Sequence, residues 1–248
     1  MKIIVKENKQ EMGLFAAQEA EKRLNEAIAK NGEARLILAT GESQFEVVKA
    51  LTKANVDWSK VTMFHLDEYV NLPESHIASF RKYLKERFAD HVNLKAAYYV
   101  NGEGDVEKNI AELTAVLREA PIDVAMIGIG ENAHIAFNDP PADFDTQEAY
   151  IVVDLDEKCR MQQVGEGWFA GFDDVPKQAI SMTVSQIMAS RSIICSVPGP
   201  KKIKAVHDTI MTEGITNMVP ATVLKNHADC WLVLDEESAA GTPADRLC

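Results

Sequence analysis

The sequence predicts an α/β fold with a parallel sheet flanked by helices, on three observations. Short runs rich in Ile, Val and Leu recur at residues 2–5, 35–39, 61–66, 122–129 and 192–197. Between them lie stretches whose apolar residues fall three and four apart, the spacing of one helix face. Two of the runs, 122–129 and 192–197, do not alternate with polar residues, as expected of strands buried on both sides. Strands alternating with helices in this way build a parallel sheet with helical layers.

Residues 2–5 open the chain as a strand. Ala17, Ala20, Leu24, Ala27 and Ile28 mark the buried stripe of a helix, and Asn31-Gly32 ends it with residues that tolerate left-handed backbone. Residues 35–39 are the second strand, and a helix after Ser43 buries Phe45, Val48 and Leu51. A strand follows at 61–66, then helices at 77–89 and 107–119, then the central strand 122–129, which runs into glycine. After the strand at 192–197 comes a helix with Ile203, Val206 and Ile210 inward. The Gly/Asp-rich stretch 165–174 reads as an active-site flap or surface excursion, so residues 1–248 form one domain with a lid within 140–175. The segment after Leu234 reads as a polar, mobile tail with Cys248 exposed.

At 248 residues the chain is long enough to bury a large core without disulfide or metal staples. It carries 26 Lys and Arg against 38 Asp and Glu, a net charge of −12. An acidic chain with no basic cluster longer than a pair is unsuited to nucleic acid, although one basic pocket can still take a small anion. No apolar run is long enough to span a bilayer, and the first residues are charged too early for a signal peptide, which points to the cytoplasm. The four cysteines, Cys159, Cys195, Cys230 and Cys248, are far apart and read as buried or idle thiols.

In an open α/β sheet the ligand sits beyond the carboxyl ends of the strands. After the second strand comes Thr40-Gly41-Glu42-Ser43-Gln44, a glycine turn into a helix, which serves either as a phosphate seat or as an ordinary serine cap. After the third come Asp67-Glu68, a general base or a helix cap, and only one of two adjacent side chains in extended backbone faces a pocket. After residues 122–129, the loop through Asn132, His134 and Asp139 gathers polar groups suited to proton transfer. Lys202, near a helix start, opposes the helix dipole unless an anion sits there, and with Ser43 it forms a candidate phosphate clamp. The other histidines show no metal-ligand spacing and read as structural or surface groups. No G-x-G-x-x-G and no G-x-x-x-x-G-K-[ST] occurs, so dinucleotide and nucleoside triphosphate chemistry is disfavoured.

Phe64-His65-Leu66-Asp67-Glu68-Tyr69-Val70 with Leu72-Pro73, and the run from Gly128 to Asn138, resemble the glucosamine-6-phosphate deaminase/isomerase family. Val175-Pro176-Lys177, Gly199 with Lys202, and Pro220 with Leu224 and His227 extend the resemblance in the same order. It implies a Rossmann-like three-layer α/β sandwich with a mostly parallel central sheet and no cofactor or metal. It also implies conversion of a 2-amino-2-deoxyhexose 6-phosphate and water to a ketohexose phosphate and ammonia, glucosamine 6-phosphate first among the substrates. By the same resemblance, Asp67 moves a proton between C2 and C1, and His134 opens the sugar ring. Thr40, Gly41 and Ser43 form the phosphate loop, Lys202 is the phosphate lysine, and Arg160 is a phosphate or substrate arginine. The family includes both monomers and hexamers, so a homo-oligomer is among the expected assemblies.

Three positions depart from the family pattern. Asn132-Ala133-His134 stands for Asp-Gly-His, as in branches acting on galactosamine-type phosphates. Asp139 is one methylene shorter than the family's Glu, and Gly41-Glu42-Ser43-Gln44 replaces a loop that prefers Gly-Gly/Ser-Thr-Pro. Asn132→Asp is therefore expected to keep or raise activity. Galactosamine 6-phosphate as substrate, 6-phosphogluconolactone hydrolysis, and sugar-phosphate sensing without turnover are the alternatives.

Overall fold

The computed structural model describes residues 1–165 and 167–243. β1 (Lys2–Lys6) leads into α1 (Lys9–Asn31), β2 (Ala34–Leu38), α2 (Phe45–Leu51), β3 (Val61–His65) and β4 (Asp67–Tyr69). Next come α3 (Phe80–Arg87), β5 (Ala96–Tyr98), α4 (Val106–Leu117), β6 (Val124–Ile127), β7 (Tyr150–Asp154) and α5 (Glu157–Gly165). β8 (Gln178–Met182), α6 (Val184–Met188), β9 (Ser192–Val197), α7 (Ile203–Met211), β10 (Cys230–Asp235) and α8 (Glu236–Ala239) complete the order.

α1 shows how local chemistry sets these limits. The Asn8 side chain accepts from the amides of Gln10 and Glu11, and Gly32, at φ 81°, ends the helix by donating to the Ile28 carbonyl. Met12, Ala16, Ala20, Leu24 and Ala27 bury its apolar stripe. With α2 and α3 it covers one face of the main sheet, packing on Leu36, Leu38, Val61 and Met63. Leu113 and Leu117 of α4, Ile187 of α6 and Val206 of α7 cover the other face, over Ile37, Phe64, Ala125, Ile127 and Ile193. The result is the three-layer sandwich.

The main sheet has seven strands in the order β1-β10-β9-β6-β2-β3-β5, every pair parallel. From β2 the chain steps outward through β3 and β5, and from the central β6 it steps the other way through β9. The β2/β6 boundary is thus the switch point, and the loops after β2, β3, β6 and β9 open above it.

Several expectations need correction. A second sheet, β4-β8-β7, is antiparallel and carries Asp67; β7 also divides the stretch expected to hold a lid. The helix expected from residue 77 begins at Phe80, because Ser79 caps it and the Glu68 carboxylate accepts from the amides of Phe80 and Arg81 (3.3 and 2.9 Å). Ile77 is left 65% exposed, and Ile203, expected inward, is 36% exposed at the first position of α7. The segment after Leu234 is not a loose tail through Ala239. Asp235 and Ser238 form a reciprocal capping box, and Ala239 is buried. Cys159, Cys195 and Cys230 are buried thiols outside any disulfide, and Cys248 lies outside the described residues. Among the described residues no helix is long and apolar enough to cross a membrane.

Candidate active site

The loops after β2, β3 and β6 enclose a cavity of about 120 Å³ lined by Thr40, Ser43, Asp67, Gly130 and His134, among others. Asp67 opens β4 after a single residue, Leu66, that separates it from β3, so the main sheet and the small sheet both fix it. Only 7% of Asp67 is exposed, and burial, followed by the neighbouring Glu68 charge, pushes its carboxyl up to about 8. Such a group is neutral or poised to ionise near physiological pH, as a general base requires. Glu68 points the other way and is fully buried. It accepts from Ser79 Oγ (2.9 Å), from Arg81 Nε (3.3 Å) and from three backbone amides. Of the two carboxylates, one faces the cavity and the other caps α3.

The loop after β6 is held in a demanding shape. Ala133 and Ala136 take left-handed φ values of 66° and 52°, which cost a residue with a Cβ about 1–2 kcal/mol each. Ala133 is the position where the family pattern has glycine. The cost is offset by anchoring, since Asn138 Nδ2 donates to Ile135 O, Ser181 Oγ and Met182 O (2.8, 3.2 and 2.9 Å). The small sheet therefore clamps the histidine loop as well as Asp67. Gly130 has a separate reason to be glycine, because a Cβ there would lie 2.2 Å from His134 Nε2.

His134 Nδ1 lies 2.7 Å from Asp139 Oδ1, so the shorter carboxylate reaches the ring. With Nδ1–H donated to Asp139, Nε2 remains as a proton acceptor on the cavity side. Burial raises the Asp139 carboxyl, but the hydrogen bond and charge of His134, with a further bond from Asn132, outweigh it and hold the group below its ordinary value. Asn132 Nδ2 donates to the same Asp139 Oδ1 at 2.8 Å, and Asn132 Oδ1 accepts from the His134 amide at 3.1 Å. This geometry reverses the expectation for Asn132→Asp. Two carboxylates at that distance repel and share a proton, so kcat/KM should fall about tenfold at pH 8 and less at pH 6. A pH–rate profile of the variant checks this, and full activity at pH 8 would show that the amide donor is dispensable.

A second cavity, about 600 Å³, adjoins the first and takes in Gly41, Ser43, Gly199, Lys201 and Lys202. Its walls are two turns of the same design. Gly41 (φ 98°) and Gly199 (φ 87°) each open a 3-10 turn, with Gln44 N–H donating to Gly41 O and Lys202 N–H to Gly199 O (both 3.1 Å). Side-chained residues rarely adopt these φ values. Sequence reasoning missed Gln44, whose buried amide donates to Ser196 O (3.2 Å), Ile127 O (3.5 Å) and Ser43 Oγ (3.4 Å), tying the first turn to the ends of β6 and β9. Arg160 is placed elsewhere. Its guanidinium stacks over Phe172 at 3.9 Å and donates to the carbonyls of Phe172 and Val175 (2.8 and 3.1 Å), bracing the 172–175 turn.

Residues 7–232 match the model of a family described as glucosamine-6-phosphate isomerases/6-phosphogluconolactonase. A glucosamine-6-phosphate deaminase of Streptococcus uberis is 37% identical, over 97% of this chain and 99% of its own. One from Bacillus cytotoxicus is 34% identical, over 96% and 88%. Among solved structures, one described as a monomeric glucosamine-6-phosphate deaminase superposes with a TM-score of 0.88 at 28% identity, over 97% of this chain and 99% of that one. A 6-phosphogluconolactonase of Thermotoga maritima, TM-score 0.77 over 94% of this chain and 99% of that one, is 15% identical and shares the fold.

Proposed function

The chain belongs to the glucosamine-6-phosphate isomerase/6-phosphogluconolactonase family, and from that premise we propose that it is a glucosamine-6-phosphate deaminase. The reaction turns glucosamine 6-phosphate and water into fructose 6-phosphate and ammonia. The observation that carries this reading is the desolvated Asp67 carboxyl in one cavity with the Asp139-oriented His134. His134 Nε2 serves the ring oxygen as the pyranose opens. Asp67 then takes the proton from C2 and returns it to C1, which converts the amino aldehyde into a ketose imine that water hydrolyses to ketose and ammonia. A carboxylate suits a shuttle between adjacent carbons because it can accept and return the proton on one face. Lactone hydrolysis moves no proton between carbons and would leave the buried Asp67 without a task.

The C6 phosphate belongs in the second cavity, against Ser43 with its neighbouring amides and the charge of Lys202, while Thr40 lines the first cavity. This contact is the same before and during the chemistry, so Lys202→Ala should raise KM about 10- to 100-fold with kcat close to wild type. Steady-state kinetics decide this, and an unchanged KM would remove Lys202 from the clamp. All of the residues named come from one chain, so the chemistry does not depend on the expected homo-oligomer.

The reading is tested by assaying ammonia and fructose 6-phosphate from glucosamine 6-phosphate, in parallel with galactosamine 6-phosphate. Ammonia from the glucosamine ester is the expected result. Its absence from both overturns the proposal in favour of a non-catalytic sensor or another reaction.

A further inference from the structure

Granted that reading, the middle of the sugar must cross the wall common to the two cavities. Ser43, Phe80 and Gln163 build that wall. With C1 and C2 at Asp67 and the phosphate at Lys202, carbons C3, C4 and C5 lie along it. The Phe80 ring offers no hydrogen bond, and Ser43 belongs to the phosphate turn, its Oγ accepting from Gln44. Gln163, on α5, is different. Its Oε1 accepts a 2.7 Å hydrogen bond from the Tyr69 hydroxyl, and among the described residues nothing accepts from its Nε2.

Tyr69 is a rigid post for this amide. It is fully buried, with its ring against Phe80, Phe137 and Phe169 at centroid distances of 5.1, 5.5 and 5.6 Å. It lies two residues beyond Asp67 on β4, and side chains at that spacing share one face of a strand. The base and the post that holds the amide are therefore set by the same three-residue strand.

We propose that Gln163 reads the sugar. Its amide, oriented by Tyr69, donates to the hydroxyls of C3–C5 and sets the preference among 2-amino-2-deoxyhexose 6-phosphates that differ in configuration there. With the oxygen pinned, the two N–H donors have a fixed direction. A site built to hydrogen-bond a hydroxyl rejects an epimer that misplaces it, because the donor is then left unpaired. In this scheme Gln163 contacts substrate and Tyr69 is a positioning residue.

The test is calorimetric binding of 2-amino-2-deoxyglucitol 6-phosphate, its galactitol epimer and inorganic phosphate to wild type, Gln163→Met and Tyr69→Phe. Wild type should separate the two hexitol phosphates by about tenfold or more. Gln163→Met should compress the ratio to about threefold or less, and Tyr69→Phe should fall between, with phosphate affinity the same in all three proteins. Wild type that does not separate the epimers overturns the proposal. So does Gln163→Met that keeps the full ratio, and so does equal weakening of all three ligands in Gln163→Met with an intact ratio in Tyr69→Phe. Ammonia release by wild type is scored separately. Its absence, with the epimer ratio lost in Gln163→Met, removes the deaminase reading and keeps the role of Gln163. Ammonia release with an unaltered ratio does the reverse.

Discussion

Asp67→Asn is expected to lower kcat about 10³-fold or more while leaving KM near wild type, because the amide fills the same space and cannot take a proton. Wild-type kcat/KM should rise with pH as the carboxyl, pushed up to about 8, ionises. The same shift has a consequence for stability. The carboxyl titrates near 4 in the unfolded chain but near 8 in the fold. Between those values the unfolded state loses the proton and the folded state keeps it, so stability falls as pH rises through this window. The Asn variant escapes that cost. Its melting temperature should exceed that of wild type, with a gap that widens from pH 5 to pH 8. A gap that stays constant with pH would mean that the native carboxyl is ionised throughout, and retained turnover would reassign the base.

His134→Gln is the second large effect, with kcat lowered about 10²- to 10³-fold. Its signature differs from that of Asp67→Asn, because in the proposed mechanism His134 serves ring opening rather than carbon-to-carbon transfer. With deuterium at C2 of glucosamine 6-phosphate, wild type should show a primary isotope effect on kcat/KM. In His134→Gln the effect should shrink toward one, since the step before proton transfer becomes limiting. An isotope effect that persists or grows in the variant would place His134 in the proton transfer itself.

Much of this site is legible in the sequence for a simple reason. Parallel strands put their loops at one edge, so residues distant in sequence but each just past a strand converge: Ser43 after β2, Asp67 after β3, His134 and Asp139 after β6, Lys202 after β9. What is not legible depends on contacts that no local pattern announces. β7 has an apolar run, Tyr150-Ile151-Val152-Val153, like those read as strands, but no local pattern announces that it pairs with β8, and β8 with the three-residue β4, in a separate antiparallel sheet. The helical start at Phe80 is set by a carboxylate twelve residues earlier, and Ile77 gives a helical spacing that the Glu68 cap overrides. The partnership of Tyr69 with Gln163 spans 94 positions, and that of Gln44 with Ser196 spans 152. Arg160, read through resemblance as a ligand of the sugar phosphate, has carbonyls and a ring as its partners instead.

The small sheet has one further consequence, for how such an enzyme can be remodelled. β7 and β8 are antiparallel neighbours, and the Leu155 amide closes their neck on the Lys177 carbonyl at 2.8 Å. An antiparallel pair is registered by its own ladder, so the length and content of what lies beyond the neck do not enter into the register. The chain beyond the neck carries Gln163 and Arg160, and Cys159, Phe169 and Val175 bury it in one apolar cluster with Tyr69, Leu72 and Phe137. Grafting another such segment at this neck would change only the Gln163 part of the wall, since Ser43 and Phe80 lie outside it, and would have to keep those apolar contacts. Tyr69 stands two residues from Asp67 on β4 with Phe169 against its ring, so a graft that loses Phe169 would loosen the strand that carries the candidate base.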